Sequence, residues 1–277
     1  MTDKELVYFR FLDLHFYWEG QLQTGLFQKQ FALSRPSAQK YIQQYIFDHQ
    51  RPIEYVETLK SYVLKGAFLP TYVGGEFDEY TNVTAGKILT NLSSGQVHHI
   101  TLPKRQLEPE ILRPILTACR YQSALDITYL SLKENGESER IIRPHTLVNT
   151  GLRYHLRAFC EKSGKFQDFS LSRILAAEPE LASKARHTKE EDTKWQQHVE
   201  LMITPDPRLS LHAQAVIARD YQMNANKAVI NTNAALVNYL INLLRLDCLH
   251  PSPEAQQIVI DPTCYRMLRE EGLLWNV

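Results

Sequence analysis

The chain has 277 residues, 44% of them hydrophobic, and 31 acidic against 31 basic side chains. That length exceeds one ordinary core and predicts two or three domains. A formal net charge of zero excludes a broadly basic coat that would hold nucleic acid regardless of sequence, while leaving room for a local basic patch.

The four cysteines, Cys119, Cys160, Cys248 and Cys264, lack the spacing of a zinc knuckle or a redox pair. They are expected to be buried, reduced thiols. The opening "MTDKELVYFR" is charged and has no apolar core, so no signal peptide is expected. No apolar run approaches membrane-spanning length. The expectation is a soluble, cytoplasmic protein with no membrane partner.

The first domain is expected over residues 1–73. "DKELVYFRFLDLHFYWEG" predicts a helix with Leu6, Phe9, Leu12 and Phe16 near one face and Gly20 past its end. A short second helix runs from Thr24 to Ala32. "LSRPS" breaks the pattern. Ser34 is a natural N-cap, and Pro36 is tolerated in a first turn. The third helix carries Ala38, Tyr41, Ile42, Tyr45 and Ile46 on an inward stripe. Outward, near its start, stand Arg35, Ser37, Gln39, Lys40, Gln43 and Gln44.

The period then changes. "IEYV" and "SYVL" predict two strands flanking the turn "ETLK". Three helices followed by a hairpin is the plan of a winged helix-turn-helix. Arginine and lysine bind phosphate or guanine, and glutamine pairs with adenine, where such a helix enters the major groove. Lys60 and Lys65 would add positive charge on the wing. A small helical domain with an ordinary polar face is the competing reading.

Residues 74–106 predict a turn-rich linker with short helices, its boundary near Gly74 and Gly75. The middle domain is expected over 107–185. A helix from Glu108 leads into four strand-like runs, "LDITYLS", "RIIRPHTLV", "LRYHLRAFC" and "FQDFSLSRI". Short strands at this spacing suggest a small β-barrel with a site at its mouth or outer groove. In the third run Arg153, His155 and Arg157 share one face, and Arg173 closes the fourth. Either this is a solvated strand face or the cations gather around an anion.

Residues 195–277 predict a small α+β unit: strand "HVELMIT", helix "LSLHAQAVIARDY", strand "NKAVIN" and a longer helix "NAALVNYLINLLRL". Leu236, Leu240, Leu243 and Leu244 form a stripe on that last helix. The stripe and the exposed sheet are the expected dimer surfaces.

Catalytic patterns are missing. No nucleophile elbow, HExxH or Walker loop occurs. His98 and His99 have no partner at ligand spacing and are expected as surface histidines. Cys160 lies in a strand-like run that favours a packed thiol. No enzyme activity, cofactor or metal is expected.

The middle-domain runs "ITYLS", "RIIRPHTLV", "RYHLRAF" and "FSLSRI" resemble the WYL domain of bacterial transcription regulators. Tyr154, His155 and Leu156 stand at the Trp-Tyr-Leu signature, departing from it at the first two positions. The flanking segments resemble the winged helix-turn-helix and the WCX extension of the same regulators. "IEYVETLKSYVLKGAFLP" and "ARDYQMNANKAVINTNAALVNYLINLLRLD" resemble in particular the BrxR and CapW type of repressor encoded beside anti-phage defence systems. The resemblance implies an α+β multidomain chain: a winged helix, an Sm/SH3-like barrel and a WCX-like domain.

It further implies a homodimer that binds a pseudo-palindromic double-stranded operator through the outward residues of the third helix. A groove of Tyr129, Ser131, His145, Tyr154, Arg157 and Arg173 would sense a nucleic-acid fragment or nucleotide. Arg157 and Arg173 would then dominate ligand affinity and leave the fold and DNA binding intact. A single-stranded nucleic-acid-binding accessory module and a nucleotide-processing enzyme remain the alternatives.

Overall fold

A computed structural model describes residues 1–84, 103, 105, 107–132, 136–180 and 187–275. His98 and His99 lie outside the described residues. The chain forms two compact units, Met1–Pro144 with Leu171–Ser183, and His145–Ser170 with Lys184–Val277.

In the first unit, helix α1 (Asp3–Glu19) starts with a reciprocal cap, in which Thr2 Oγ1 accepts from Glu5 N and Glu5 Oε2 accepts from Thr2 N. It ends at Gly20, whose φ of 68° is a left-handed conformation suited to glycine. Tyr8, Phe9, Phe11, Leu12, Leu14, Phe16 and Trp18 are all buried. The single apolar face expected from Leu6, Phe9, Leu12 and Phe16 is therefore too narrow, because α1 is packed nearly all round as a central core helix.

Strand β1 (Gln21–Leu22) and helix α2 (Thr24–Phe31) follow. Helix α3 (Arg35–Asp48) begins at Ser34, whose Oγ accepts from Ser37 N at 3.3 Å, with Pro36 in the first turn. It buries Ala38, Ile42 and Tyr45. Strands β2 (Ile53–Val56) and β3 (Ser61–Leu64) form the hairpin, in register Glu54↔Val63 and Tyr55↔Tyr62. Its turn is a 3-10 segment, Glu57–Leu59, closed by Lys60 at a φ of 49°. β1 pairs with the other edge of β3, giving a three-stranded wing in the order β1-β3-β2. A two-residue strand is too short for alternation to reveal it.

Helix α4 (Phe77–Thr84) follows the wing. Helix α5 (Pro109–Tyr121) is fastened to α1, since Arg113 Nε and Nη2 donate to Tyr17 O at 3.0 and 2.7 Å.

The middle sheet has five strands, not four: β4 (Ala124–Leu130), β5 (Glu137–Asn149), β6 (Tyr154–Cys160), β7 (Lys165–Ser170) and β8 (Ile174–Glu180). Their order is β7-β6-β5-β4-β8. The run "FQDFSLSRI" is broken by a 3-10 turn, Leu171–Arg173, so it supplies β7 and the start of β8. β4, β8 and β5 through Pro144 lie in the first unit. There β4 pairs antiparallel with β5 and with β8, with a register irregularity between Thr128 and Tyr129.

The second unit holds the rest of β5, then β6 and β7, which pair antiparallel. After helix α6 (Thr193–Gln196) come strand β9 (His198–Pro205), helix α7 (Leu211–Asp220), strand β10 (Ala228–Asn233) and helix α8 (Val237–Leu243). Helix α9 (Pro253–Gln256), strand β11 (Ile258–Ile260) and helix α10 (Pro262–Glu270) complete it. The antiparallel sheet runs β10-β9-β11. Val199, Leu201 and Ile203 alternate inward from β9 and share a core with Val237, Ile241 and Leu268.

Two expectations for this unit change. α8 is seven residues long, shorter than its sequence pattern suggested. Leu240 and Leu244 pack against the core, so half of the leucine stripe is turned inward, while Leu243 is exposed. Nor are all four thiols buried: Cys160 and Cys264 are, Cys119 is half-buried and Cys248 is exposed. Among the described residues no helix is long and apolar enough to cross a membrane, and no cluster of histidine, cysteine or carboxylate side chains could hold a metal ion.

Candidate DNA-reading helix and a buried arginine cluster

The outer side of α3 carries Arg35, Lys40 and Gln43 exposed, and Ser37 and Gln39 half-buried. A shallow depression along it is lined by Pro36, Gln39, Lys40, Gln43, Gln44, Phe47 and Asp48. Phe47 is 83% exposed. Lys60 and Lys65 are exposed at the tip and exit of the hairpin. The cations and amides picked out from sequence in the first domain thus all sit on its surface, on α3 and on the wing.

What fixes the pose of α3 is a carboxylate that the sequence reading passed over. Asp13 on α1 is 0% exposed. Its Oδ1 accepts from the Tyr45 hydroxyl of α3 and from Arg51 Nη2 at 3.4 Å, and its Oδ2 accepts from Thr71 N at 2.6 Å and from Tyr72 N. Arg51 also reaches Leu69 O and Thr71 Oγ1. One buried acid therefore ties α1, α3 and the segment leaving the wing. Burial, reinforced by the Asp13 charge, pushes the Tyr45 phenol far above its ordinary range, so it stays a donor.

A second buried acid, Glu19, joins α1 to α4 and α5. It accepts from Tyr80 Oη at 2.5 Å and from Arg120 Nη2. His15 lies 3.6 Å from Glu19, and burial lowers its pKa below the ordinary 6.5.

In the second unit, His145 and Arg157 come together on one carboxylate, Asp192. Its Oδ2 accepts from Arg157 Nε at 2.7 Å and from His145 Nε2 at 3.2 Å. Its Oδ1 accepts from Arg157 Nη2 at 3.1 Å and from Trp195 N at 3.2 Å, capping α6. The third guanidinium nitrogen, Nη1, lies 3.3 Å from Asp168 Oδ1, and Tyr239 Oη donates to Asp168 Oδ2 at 3.0 Å. The Arg157 side chain is 6% exposed and that of Asp192 2%.

Burial alone would raise the Asp192 pKa. Hydrogen bonds from His145 and Arg157, with the arginine charge, hold it well below the usual carboxylate range instead. Thr146 Oγ1 is 2.8 Å from His145 Nδ1, which fits a ring that carries its proton on Nε2 and donates to Asp192.

This settles one feature of the basic strand face. Two of its three positions are covered: the His155 ring lies tilted 4.9 Å from that of Tyr239, and Arg157 is held by two carboxylates. Tyr154, one residue out of phase, accepts from Asn149 Nδ2 at 3.0 Å. Tyr129, Ser131 and Arg173 belong to the first unit. Tyr129 is buried on β4 and pairs with Ile174, next to Arg173; Ser131 and Arg173 are half-buried. The sequence reading saw the cations but not Asp168 and Asp192. Period-2 pairing could have found Asp168, which lies directly across from Arg157. Asp192, sitting within a charged linker, gave no such signal.

Comparisons with known proteins agree with this architecture. Residues 5–86 match the BrxR transcriptional regulator winged helix-turn-helix domain, 110–179 the WYL domain, and 198–264 the BrxR transcriptional regulator C-terminal dimerization domain. The chain is 28% identical over 264 residues to the DNA-binding transcriptional repressor CapW of Escherichia coli, covering 90% of this chain and 86% of that protein. The CapW repressor of Pseudomonas aeruginosa is 28% identical over 260 residues, with the same coverage. That of Stenotrophomonas maltophilia is 25% identical over 266 residues, covering 91% and 87%. These relatives are repressors, in keeping with the expectation of a regulator rather than an enzyme. With three regulator domains matched in this order, the chain belongs to the WYL-domain transcriptional regulators of the BrxR and CapW type.

Proposed function

We propose that this chain is a homodimeric, sequence-specific transcriptional repressor that controls a phage-defence operon and is itself controlled by an anionic ligand. The observation that carries the reading is its likeness, over nine-tenths of its length, to proteins named DNA-binding transcriptional repressor. In this reading residues 1–73 bind DNA, 74–106 link, 107–185 sense the ligand and 195–277 dimerise.

Arg35, Ser37, Gln39, Lys40 and Gln43 face the DNA, with Gln39 or Gln43 reading base edges and Lys40 contacting a phosphate or base. Lys60 and Lys65 on the wing contact phosphates. The exposure of Arg35, Lys40, Gln43, Lys60 and Lys65 supports this, as does the Asp13 anchor that ties α3 to α1. One winged helix covers one half-site, so the dimer binds a pseudo-palindrome with half-sites about 34–36 Å apart, or a multiple.

Tyr129, Ser131, His145, Tyr154, Arg157 and Arg173 receive a nucleic-acid fragment or nucleotide, whose phosphates match arginine forks. Ligand binding changes DNA affinity only as far as it prefers one arrangement of the dimer. A gel-shift assay with DNA upstream of the chain's own gene tests the reading. A discrete shifted complex that resists competitor DNA is expected. Binding no tighter than to random duplex would reject it.

A further inference from the structure

Arg157 is the centre of the proposed ligand groove, yet each of its guanidinium nitrogens already faces a carboxylate. Its Nε and Nη2 are held by Asp192 and its Nη1 faces Asp168, within a side chain that is 6% exposed. A carboxylate fork on Nε and Nη2 is the geometry in which arginine also grips phosphate. Asp192 therefore fills the place a phosphate would take. For a phosphate to take the Nε–Nη2 fork of Arg157, Asp192 has to leave.

The two acids are not held alike. Asp168 is built into the sheet: it lies on β7 in register with Arg157 on β6, and Tyr239 of α8 steadies its second oxygen. Asp192 is not part of any ladder. It precedes the four-residue helix α6, in the stretch between the middle and C-terminal domains. Asp192 stands on a short turn, whereas Asp168 stands on a paired strand and is steadied by Tyr239.

We infer that Asp192 is an internal stand-in for the ligand's phosphate, and that the ligand binds by displacing it from Arg157. This rests on the ligand-sensing role proposed above and assigns that site its mechanism. Displacement removes an acceptor from His145 Nε2 and the side-chain cap from Trp195 N. It also loosens α6, whose Lys194 O and neighbouring Gln197 O accept from Ala235 N and Ala234 N, just before α8. The exchange of one carboxylate for one phosphate thus begins at β6 and ends on the helix that carries Tyr239, inside the C-terminal dimerization domain. Competition from the built-in acid also excludes singly bonded, weak anions: the ligand must outbid a two-point fork.

The test uses the full chain and two probes, adenosine 5′-monophosphate and a 5′-phosphorylated DNA dinucleotide. Each is titrated by calorimetry into the wild type and Asp192→Asn. The asparagine keeps the shape and an acceptor but removes the charge. Tighter binding of at least one probe by about tenfold or more is expected in Asp192→Asn, since a charge-assisted bond no longer has to be broken. Hydrogen exchange on the wild type guards against a variant that fails to fold. Saturating probe is expected to speed exchange across residues 189–197, where the amides of Trp195 and Gln196 now bond to Asp192 O.

Equal affinity in both proteins, with no change in exchange there, would overturn the displacement and leave the sensor reading standing. No binding of either probe by either protein would overturn the sensor reading and the displacement with it. A mononucleotide response without a dinucleotide response, or the reverse, tells a free nucleotide from a nucleic-acid end, and both outcomes support the exchange at Asp192.

Discussion

The Tyr45 hydroxyl on α3 donates to the Asp13 carboxylate on α1, and that carboxylate is wholly shut off from solvent. The helix proposed to read DNA is thus held from behind by an acid whose other oxygen caps the chain leaving the wing. Removing the phenol oxygen with Tyr45→Phe leaves Asp13 with one fewer donor. A loss of about 1–3 kcal/mol of unfolding free energy is expected. Denaturant unfolding of the two proteins measures it. A midpoint unchanged from wild type would mean that Asp13 is satisfied without α3.

The buried position of Arg157 changes what its loss should do. The sequence alone suggested that removing it would blunt ligand response and spare the fold. In the structure its removal leaves Asp192 and Asp168 facing each other's surroundings without a cation. Breaking a buried pair by deleting one partner costs about 3–5 kcal/mol. Arg157→Ala is therefore expected to unfold at markedly lower denaturant. Asp192→Asn, which keeps hydrogen-bond capacity, is expected to lose less. If Arg157→Ala proved as stable as wild type, the cluster would be an exposed ion pair in solution.

His15 makes stability depend on pH. Burial sets its pKa in the folded chain below the ordinary 6.5. As pH falls below that value the unfolded chain takes up a proton that the folded chain still refuses, so unfolding is favoured. Stability from this site is full above about pH 6.5 and is lost as pH falls toward the folded pKa. Thermal melts at pH 7.5 and 5.5 should show a smaller drop for His15→Gln than for wild type. Equal drops would place the sensitivity elsewhere.

Thiol chemistry should separate the cysteines. Burial pushes the Cys119 thiol up to about 12, whereas Cys248 is exposed. Thiolate is the reactive form. Iodoacetamide at pH 8 is expected to label Cys248 first and Cys119 last or only on unfolding, as followed by peptide mass spectrometry. Early labelling of Cys119 would show that α5 opens readily.

The parts of this fold that were legible in the sequence are those written in local patterns. Ser34 and Pro36 mark the start of α3, and Gly20 the end of α1, because capping chemistry is contained within a few residues. The wing hairpin follows from alternation and a turn. The parts that were not legible depend on distant partners. β1 exists only because β3 offers an edge, and no glycine or proline in the sequence marks where α8 stops. β11, only three residues long, and α10 were missed, although Asp261 and Pro262 carry the capping signal that opens α10. In the proposed sites the same division holds. Surface cations and amides stood out by type, but Asp13, Glu19 and Asp192 are ordinary acids until the fold buries them against Tyr45, Arg120 and Arg157.

The central claim is that α3 reads DNA sequence. Fluorescence anisotropy on the upstream DNA, with wild type, Gln43→Ala and Lys60→Ala proteins against matched and scrambled duplexes, tests it most directly. Gln43→Ala is expected to lose about 1–3 kcal/mol on the matched duplex and little on the scrambled one. Lys60→Ala is expected to weaken both alike and to flatten the salt dependence. Unchanged matched-duplex affinity in Gln43→Ala, together with its Gln39→Ala and Lys40→Ala counterparts, would contradict the account, because α3 would then not be the reader.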